Sequence, residues 1–417
     1  MSHRSVFFTT PIATACKPSI GLLMPALTML AGGFATPASA HETLKLDLPK
    51  PNLAATPPMG WNSWNKFGCN VKEDIVRRQA DFMVTAGLKA VGYQYIVIDD
   101  CWQKRRDVAG NIEVDRERFP SGVKALADYV HGKGLKFGIY SDAGVLTCGG
   151  RPGSAGHEFQ DAHQYAGWGV DYLKYDWCHT GTRDAEAAYT IMAKALRESG
   201  REVVLSICEW GDNHPERWAA KVGHLWRTTG DIYDGWQGKK AYMLGMVDIL
   251  DKQVDLWRYS GPNQWNDPDM LEVGNGGMTT VEYESQFSLW AMLAAPLIAG
   301  NDLSAMNADT LRILANRDVI AVDQDVLGQQ ARRIWKEGDL EIWARPLKGG
   351  VQAVVLFNRG SAPAEMRVTW EQLNLPVNLM TEVKNLWSKQ VTKHVRGGYG
   401  GRVAPHGVLM LRVTPET

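Results

Sequence analysis

The stretch VDYLKYDWC, residues 170–178, has the apolar pattern of a strand and ends on charged and aromatic groups. Lys174 and Asp176 are two residues apart, so on a strand their side chains point to the same face. Burying a lysine and an aspartate side by side costs free energy unless the two groups pair or take part in function. Taken alone, the stretch fits a structural ion pair almost as well as a functional site.

Seven further apolar runs resemble this one, and helical patterns lie between them. After residues 170–178, for example, Ala188, Met192 and Ala195 keep the spacing of a buried helix face. Alternating strands and helices over roughly 250 residues predict a (β/α)8 barrel, with bounds 56–328. A doubly wound open sheet is the alternative, but the Gly-rich phosphate turn that usually follows its first strand is missing. The other strand candidates are MGWNSWNKF (59–67), YQYIVIDD (93–100), LKFGIYSD (135–142), EVVLSICEW (202–210), HLWRTTGDI (224–232), QWNDPDML (264–271) and LAAPLIAGND (293–302).

After residue 328 the pattern changes to short alternating runs separated by Gly, Pro and Asn, such as VQAVVLFNRG and GVLMLRVT. Such runs predict an antiparallel β-sandwich over 329–417, which we expect to be structural. Its tryptophans lie at strand positions, so we expect them in the core rather than on a polysaccharide-binding face. They are Trp335, Trp343, Trp370 and Trp387.

The first 40 residues have the pattern of a signal peptide, with an apolar run that ends at Ala38-Ser39-Ala40. We expect cleavage after Ala40, a linker over 41–55, and a secreted or periplasmic bacterial protein. A membrane anchor is the alternative, but the apolar run is short and interrupted by Pro25. No other stretch is long enough to span a membrane, so no membrane partner is expected.

The composition excludes several partner classes. The net charge is −1 and no basic stripe is present, so no nucleic-acid partner is expected. No Cys-x-x-Cys or His-x-x-x-His spacing appears, so we expect neither a metal nor a cofactor. Without Cys16, five cysteines remain in the exported chain, and at least one thiol is therefore free or pairs between chains.

Polar residues follow most of the predicted barrel strands, and a barrel gathers the carboxyl ends of its strands into one mouth. Carboxylates are frequent there, with one lysine and one arginine. Seven tryptophans border the same strand ends, and aromatic faces suit the C–H face of a sugar ring. Any one of these polar groups could simply begin a loop, but together they predict a site for a neutral polyhydroxylated ligand. The tryptophans are Trp61, Trp64, Trp102, Trp177, Trp210, Trp226 and Trp265.

Cleavage of a glycosidic bond with retention needs two carboxyl groups, about 5–5.5 Å apart, one as nucleophile and one as acid and base. Asp176 fits the nucleophile, because a lysine on the same strand face would hold its pKa down. The residues leave the second carboxyl group open among several strand ends. The candidates are Glu209, Asp231, Asp269 and the pair Asp99 and Asp100.

Several motifs together resemble glycoside hydrolase family 27, the α-galactosidases and α-N-acetylgalactosaminidases, over essentially all of residues 56–417. The family implies a (β/α)8 barrel followed by an antiparallel β domain, and a retaining double displacement without a metal. The motifs are TPPMGWNSWNKFGC (56–69), YIVIDDCWQ (95–103), KFGIYSDAGVLTCGGRPGS (136–154), WGVDYLKYDWC (168–178), SICEWGDNHPERWA (206–219), WRTTGDI (226–232), NDPDML (266–271) and LWAMLAAPLIAGNDL (289–303).

The resemblance assigns roles by position. Asp176 of KYDWC would be the nucleophile, and Asp231 of TTGDI the general acid and base. Asp99 and Asp100 would bind the 4- and 6-hydroxyls of galactose. The further sugar-binding positions would be Trp64, Tyr140, Lys174, Glu209, Arg227, Asp269 and Met270. The family pattern also implies the disulfides Cys69–Cys101 and Cys148–Cys178, and leaves Cys208 unpaired because Gly223 occupies the place of its partner.

Two features favour an α-D-galactoside as substrate. Glu209, in CEWG, would crowd an acetamide group, and the intact pair Asp99 and Asp100 would leave room for C6 of the sugar. The expected partner is therefore a carbohydrate with a terminal α-galactose. The alternatives are β-L-arabinopyranosidase or isomalto-dextran hydrolysis in the same fold, and a non-catalytic sugar-binding protein. The natural substrate (raffinose-type sugars, galactomannan or glycolipid) and the oligomeric state stay open.

Overall fold

The structure is a computed structural model and describes residues 49–416. The predicted signal peptide lies outside the described residues, as does the first part of the predicted linker. Residues 49–55 of that linker carry no helix or strand.

Eight parallel strands form one sheet, and the first seven pair with one another in their order along the chain. The first strand also pairs with the eighth. Leu271, just after the seventh strand, donates from its backbone N to the carbonyl of Ile298 at 2.8 Å and so closes the ring. This confirms the predicted (β/α)8 barrel. The strands are Met59–Asn62, Tyr95–Val97, Lys136–Asp142, Tyr172–Asp176, Val204–Ile207, Leu225–Arg227, Trp265–Asp267 and Leu297–Ala299.

Helices follow the barrel strands, and most of the longer ones bury apolar side chains in the core. In Ala185–Glu198, Asp184 caps the first turn by accepting from the backbone N of Ala187, while Ala188 and Met192 are buried as their spacing predicts. Within residues 49–416, no helix is long and apolar enough to cross a bilayer. The α-helices are Trp64–Phe67, Glu73–Thr85, Val123–Gly132, Glu158–Trp168, Ala185–Glu198, Met246–Lys252, Thr280–Leu293, Ala308–Leu314 and Arg317–Asp323.

Short elements decorate the loops. Two antiparallel hairpins join Gln103–Arg106 to Ile112–Val114 and Lys239–Lys240 to Met243–Leu244. The second hairpin lies in the loop after the sixth barrel strand and is important for the site. The 3-10 helices are Gly68–Asn70, Lys89–Val91, Pro215–Arg217, Ala219–Lys221, Leu256–Arg258 and Leu303–Ala305.

The C-terminal part is an antiparallel β domain with its own core. Six of its strands form one sheet, and Ala364–Thr369 pairs with Gly398–Val403 separately. Apolar side chains of both layers, such as Val354 and Val368, share one buried cluster, so the layers pack as a sandwich. The proposed boundary at residue 328 falls between the last helix and the first of these strands. The strands are Arg332–Glu337, Leu340–Pro346, Gln352–Asn358, Ala364–Thr369, Thr381–Asn385, Val391–Val395, Gly398–Val403 and Val408–Pro415.

The sandwich packs against the helix Thr280–Leu293, which is buried on nearly all sides for this reason. Arg345 donates to the carbonyl of Ala291 at 2.7 Å, and the indole N–H of Trp387 donates to Ser288 at 2.9 Å. As predicted, Trp343 and Trp370 are fully buried in the core; Trp335 and Trp387 pack against core clusters.

Candidate active site

A cavity of about 700 Å³ opens at the carboxyl ends of the barrel strands. Its position is the one at which barrel enzymes place their sites. Seven of the predicted site residues line it, from the first, second, third, fourth and sixth strands or the segments after them. They are Trp64, Asp99, Asp100, Tyr140, Lys174, Asp176 and Asp231.

Asp176 ends the fourth strand and is 6% exposed. Its Oδ1 accepts from the backbone N of Trp177 at 2.9 Å. Burial raises the pKa of Asp176 to about 6, against the lowering effect of Lys174 and with a further raising effect of Asp231. The predicted influence of Lys174 is present, but burial outweighs it. The carboxyl group is nevertheless mostly ionised at pH 7, as a nucleophile requires.

Lys174 does not form its ion pair with Asp176. Its Nζ lies 2.8 Å from Oδ2 of Asp99, on the second strand, and 5.4 Å from the ring centre of Tyr140. The same oxygen of Asp99 accepts from Nδ2 of Asn62 at 2.8 Å. Burial would lower the pKa of Lys174, but the charge of Asp99 and other nearby acidic groups raise it well above its usual value. The cavity therefore keeps a permanent positive charge beside Asp176.

Asp231 lies on the loop after the sixth strand, and its side chain is 24% exposed. Nη2 of the buried Arg227 lies 3.0 Å from Oδ1 of Asp231 and 3.0 Å from Oδ2 of Asp269. Asp269 also accepts from the backbone N of Ile232 at 2.8 Å. Arg227 and Asp269 thus hold the segment that presents Asp231 to the cavity.

We call the cavity residues Asp99, Asp100, Tyr140 and Lys174 the polar wall. The carboxylate of Asp100 accepts from the backbone N of Gly149 at 2.7 Å and from that of Cys101 at 2.6 Å. Burial raises the pKa of Asp100 despite these bonds. The buried hydroxyl of Tyr140 has no hydrogen-bond partner among the described residues. Because buried polar groups are normally bonded, this hydroxyl points to a ligand with hydroxyl groups of its own.

Two disulfides fasten the loops around this wall, with the pairing that the resemblance implies. Cys101, directly after Asp100, is bonded to Cys69, and Cys178, two residues after Asp176, is bonded to Cys148. Each bond thus fixes the chain next to a carboxylate of the cavity.

Four predicted site residues do not line the cavity: Glu209, Arg227, Asp269 and Met270. The sugar contact of Glu209 stays a prediction. Its carboxylate accepts from the backbone N atoms of Gly211 and Asn213 and from the side chain of Asn213, so it caps the local loop. Burial raises the pKa of Glu209 to about 7. Met270 is buried beside Asp269, whose carboxylate accepts from its backbone N at 2.8 Å.

The tryptophans divide differently from the prediction. Of the seven at the strand ends, only Trp64 and Trp210 line the cavity, and Trp177 stacks on Tyr189. The other four are fully buried, and each indole N–H donates to a protein oxygen at 2.7–2.9 Å. They are core residues, and a protein acceptor for each N–H group makes their burial possible.

Sequence reasoning missed part of the cavity wall. Lys239 and Tyr242, from the hairpin after Asp231, line the cavity, and so does Asp212 after the fifth strand. No apolar periodicity or motif marks this hairpin, and only its closeness to Asp231 in the chain could have indicated it. Cys208, the free cysteine of the described residues, is buried, and burial raises the pKa of its thiol well above the usual value. Nη1 of Arg227 lies 3.7 Å from its sulfur.

Comparison with known proteins places this site in a family. A family model described as "Alpha galactosidase A" matches residues 56–325, and one described as "Alpha galactosidase C-terminal beta sandwich domain" matches residues 337–413. The chain is 51% identical to "Alpha-galactosidase A" of Cellvibrio japonicus, over 87% of this chain and 93% of that protein. It is 48% identical to "Alpha-galactosidase 2" of Arabidopsis thaliana, over 93% and 94% of the two chains.

Solved structures give the same result. The crystal structure of alpha-galactosidase I from Mortierella vinacea superposes with a TM-score of 0.84 at 39% identity, covering 87% of this chain and 97% of that one. Both domains therefore match enzymes of one family. The chain belongs to glycoside hydrolase family 27, the α-galactosidase (melibiase) family, and is a glycoside hydrolase.

Proposed function

We propose that the protein hydrolyses terminal α-D-galactosyl residues of oligosaccharides or polysaccharides, with retention of the anomeric configuration. The observation that carries the proposal is that Asp176 and Asp231 line one cavity, each close to a cation. The names of relatives at about half identity support galactose as the sugar. A retaining hydrolysis uses two carboxyl groups, one as nucleophile and one as acid and base.

In the first step, the carboxylate of Asp176 attacks the anomeric carbon while Asp231 gives its proton to the glycosidic oxygen. The bond between the anomeric carbon and that oxygen breaks, the leaving alcohol takes the proton, and a β-galactosyl ester of Asp176 forms. Arg227 contacts Oδ1 of Asp231, so we expect Oδ2 to carry the transferred proton.

In the second step, Asp231 takes a proton from water, and the water oxygen attacks the anomeric carbon. The ester bond breaks, α-galactose leaves and Asp176 is again a carboxylate. The positive charge of Lys174 stabilises the carboxylate that leaves in this step.

The terminal sugar is held by the polar wall. Asp99 and Asp100 already accept bonds from protein groups, but a carboxylate offers about four lone-pair sites, so each can also accept from sugar hydroxyls. Lys174, next to Asp99, can donate to a sugar hydroxyl, the unpartnered hydroxyl of Tyr140 can bond another, and Trp64 provides an apolar face.

We also propose that the enzyme works after export. Two disulfides near the mouth are stable in oxidising compartments and rare in reducing ones. The predicted signal peptide over 1–40 is consistent with that location, and mass spectrometry of the exported chain would test cleavage after Ala40.

The test of the activity is a panel of nitrophenyl glycosides with the purified protein. We expect rapid release from the α-D-galactoside and, by NMR early in the reaction, α-galactose as the first anomer. Faster release from the β-L-arabinopyranoside or the N-acetyl-α-galactosaminide would overturn the substrate. Appearance of β-galactose first would overturn retention, and binding of galactose without any turnover would favour a sugar-binding protein.

A further inference from the structure

A small hairpin stands next to the proposed acid and base. We call residues 239–244 the rim hairpin: Lys239–Lys240 pairs with Met243–Leu244 around a two-residue turn. Leu244 donates from its backbone N to the carbonyl of Asp231 at 2.8 Å, and its own carbonyl accepts from Tyr233 at 3.1 Å. The rim hairpin is therefore fixed to the segment that carries Asp231.

Tyr242 is the exposed aromatic residue of this hairpin. It is 65% exposed and yet lines the cavity. Its backbone packs on the residue before Asp231, because a Cβ atom added to Gly230 would lie 3.2 Å from the carbonyl oxygen of Tyr242. Partial burial and then the charge of Asp231 raise the pKa of Tyr242. A large exposed aromatic side chain at the edge of a sugar site is costly to solvate and typical of a binding platform.

The cavity is larger than its terminal sugar. Its volume of about 700 Å³ lies in the range of sites for ligands larger than one hexose ring. The carboxylates and Lys174 gather at the strand ends, whereas Lys239, Tyr242 and Asp212 line the cavity from the loops. Space thus extends from the polar wall toward groups that can contact a second ring.

The reaction itself fixes where such a ring must lie. A general acid has to reach the glycosidic oxygen at hydrogen-bond distance, so the ring on the far side of that oxygen lies beside Asp231. Tyr242 is the exposed aromatic group of the rim hairpin, which the backbone hydrogen bonds of Leu244 attach to the Asp231 segment. Its ring offers an apolar face to the C–H groups of a sugar, and Lys239 and Asp212 offer a donor and an acceptor to hydroxyls.

We infer that the rim hairpin forms the leaving-group subsite, in which Tyr242 stacks on the sugar ring next to the terminal galactose. This inference rests on the proposed function and adds to it a determinant of preference among galactosides. The subsite binds a neutral pyranose or furanose ring, not a charged group. In the second step, water or a sugar acceptor enters the same subsite after the leaving group has departed.

The experiment compares substrates with and without a leaving-group ring. Tyr242→Ala should lower kcat/KM for melibiose and raffinose roughly fivefold to tenfold, the size expected for one aromatic contact. For α-galactosyl fluoride, which has no such ring, kcat/KM should stay within about twofold, because the fluoride makes no stacking contact. Tyr242→Phe keeps the ring and should stay near the unmodified enzyme on all three substrates. Val377→Ala, a change at a comparably exposed apolar residue of the β domain, is the matched control.

A second measurement uses the fluoride as donor and melibiose as acceptor. Tyr242→Ala should raise the acceptor concentration needed for half-maximal transfer product, while hydrolysis of the fluoride continues. Unchanged activity on both melibiose and the fluoride would overturn the inference. An equal loss on both would also overturn it and would make Tyr242 a support of Asp231. Absence of fluoride hydrolysis in the unmodified protein would overturn the proposed function instead.

Discussion

The fourth and sixth barrel strands each carry a cation close to an aspartate of the cavity, and the two cations serve these aspartates differently. Lys174 bonds Asp99 and acts on Asp176 only through its field. Arg227 bonds Asp231 directly, at 3.0 Å. Asp176 is held by the end of a strand and is nearly inaccessible, whereas Asp231 sits on a loop with a quarter of its side chain exposed.

The difference matches two chemical tasks. A nucleophile needs a fixed position and a charge, and a strand end with a nearby cation supplies both. An acid and base must exchange protons with water, so it needs access and a defined orientation, which the bonds of Arg227 and Asp269 to its loop supply. Substitutions around Asp176 should therefore affect the charge of the nucleophile, and substitutions around Asp231 should affect proton transfer to and from the substrate.

The largest effect is expected for Asp176→Asn. Loss of the nucleophile should reduce kcat on melibiose on the order of 10⁴-fold or more. The fold should become more stable, because a pKa raised to about 6 means that the folded state disfavours the carboxylate. The carboxylate does not destabilise the fold below the unfolded-state pKa, and its destabilising effect is complete above pH 6. Replacing it with a neutral amide should therefore raise the free energy of unfolding by up to about 3 kcal/mol at pH 7. Denaturant unfolding and initial rates measure the two effects.

Asp267→Asn is the matched control for this change. Asp267 is a buried barrel aspartate whose pKa burial also raises to about 6, but it does not line the cavity. We expect it to gain stability as Asp176→Asn does, and to keep turnover within about tenfold. An active Asp176→Asn protein would contradict the assignment of the nucleophile.

Asp231→Asn should have the next largest effect, with losses of about 10²–10⁴-fold on melibiose. The first step should suffer much less on a dinitrophenyl galactoside, because that leaving group needs no proton. Added azide should replace water in the second step and give the α-galactosyl azide. In Asp176→Gly, azide should instead replace the nucleophile and give the β-galactosyl azide. The same anomer from both variants, by NMR, would show that the two roles are wrongly divided.

The barrel and the position of the fourth-strand residues in its mouth could be predicted from the sequence. The alternation of apolar runs and helical spacing predicted the barrel, and the two-residue offset of Lys174 and Asp176 predicted that both face one cavity. The partner of Lys174 was not predictable from that offset, because Asp99 comes from another strand and its position depends on the register of the closed barrel.

The loops explain the remaining differences. Strand five ends at Ile207, so the alternation of faces no longer applies to Glu209, and Trp210 has a positive φ of 60° that brings it to the wall instead. The rim hairpin follows no periodic pattern, and its contact with Asp231 depends on backbone hydrogen bonds that residue types do not encode.

Lys174→Met should have a smaller effect than the changes at Asp176 and Asp231, and it should act through the protonation of Asp176. In the unmodified enzyme, kcat/KM should fall about tenfold per pH unit below pH 6, because protonation of Asp176 removes the nucleophile. Lys174 lowers that pKa, so its loss should move the acidic limb to higher pH, by on the order of 1 unit. The pH profile of kcat/KM on the nitrophenyl α-galactoside measures the shift. A lower rate with an unmoved limb would mean that Lys174 only binds the sugar.

The smallest effect is expected for Asp269→Asn, which changes the support of Asp231 without touching the cavity. Asn tolerates the positive φ of 79° at this position and keeps one oxygen to accept from Ile232, but it loses the ion pair with Arg227. Looser orientation of Asp231 should lower kcat on melibiose about tenfold, since proton transfer depends on position. The rate on α-galactosyl fluoride should change far less, because fluoride departs without a proton from Asp231. An equal loss on both substrates would mean that Asp269 shapes the sugar site itself. The proposed difference between Asp176, fixed at a strand end, and Asp231, oriented by its loop, would then not hold.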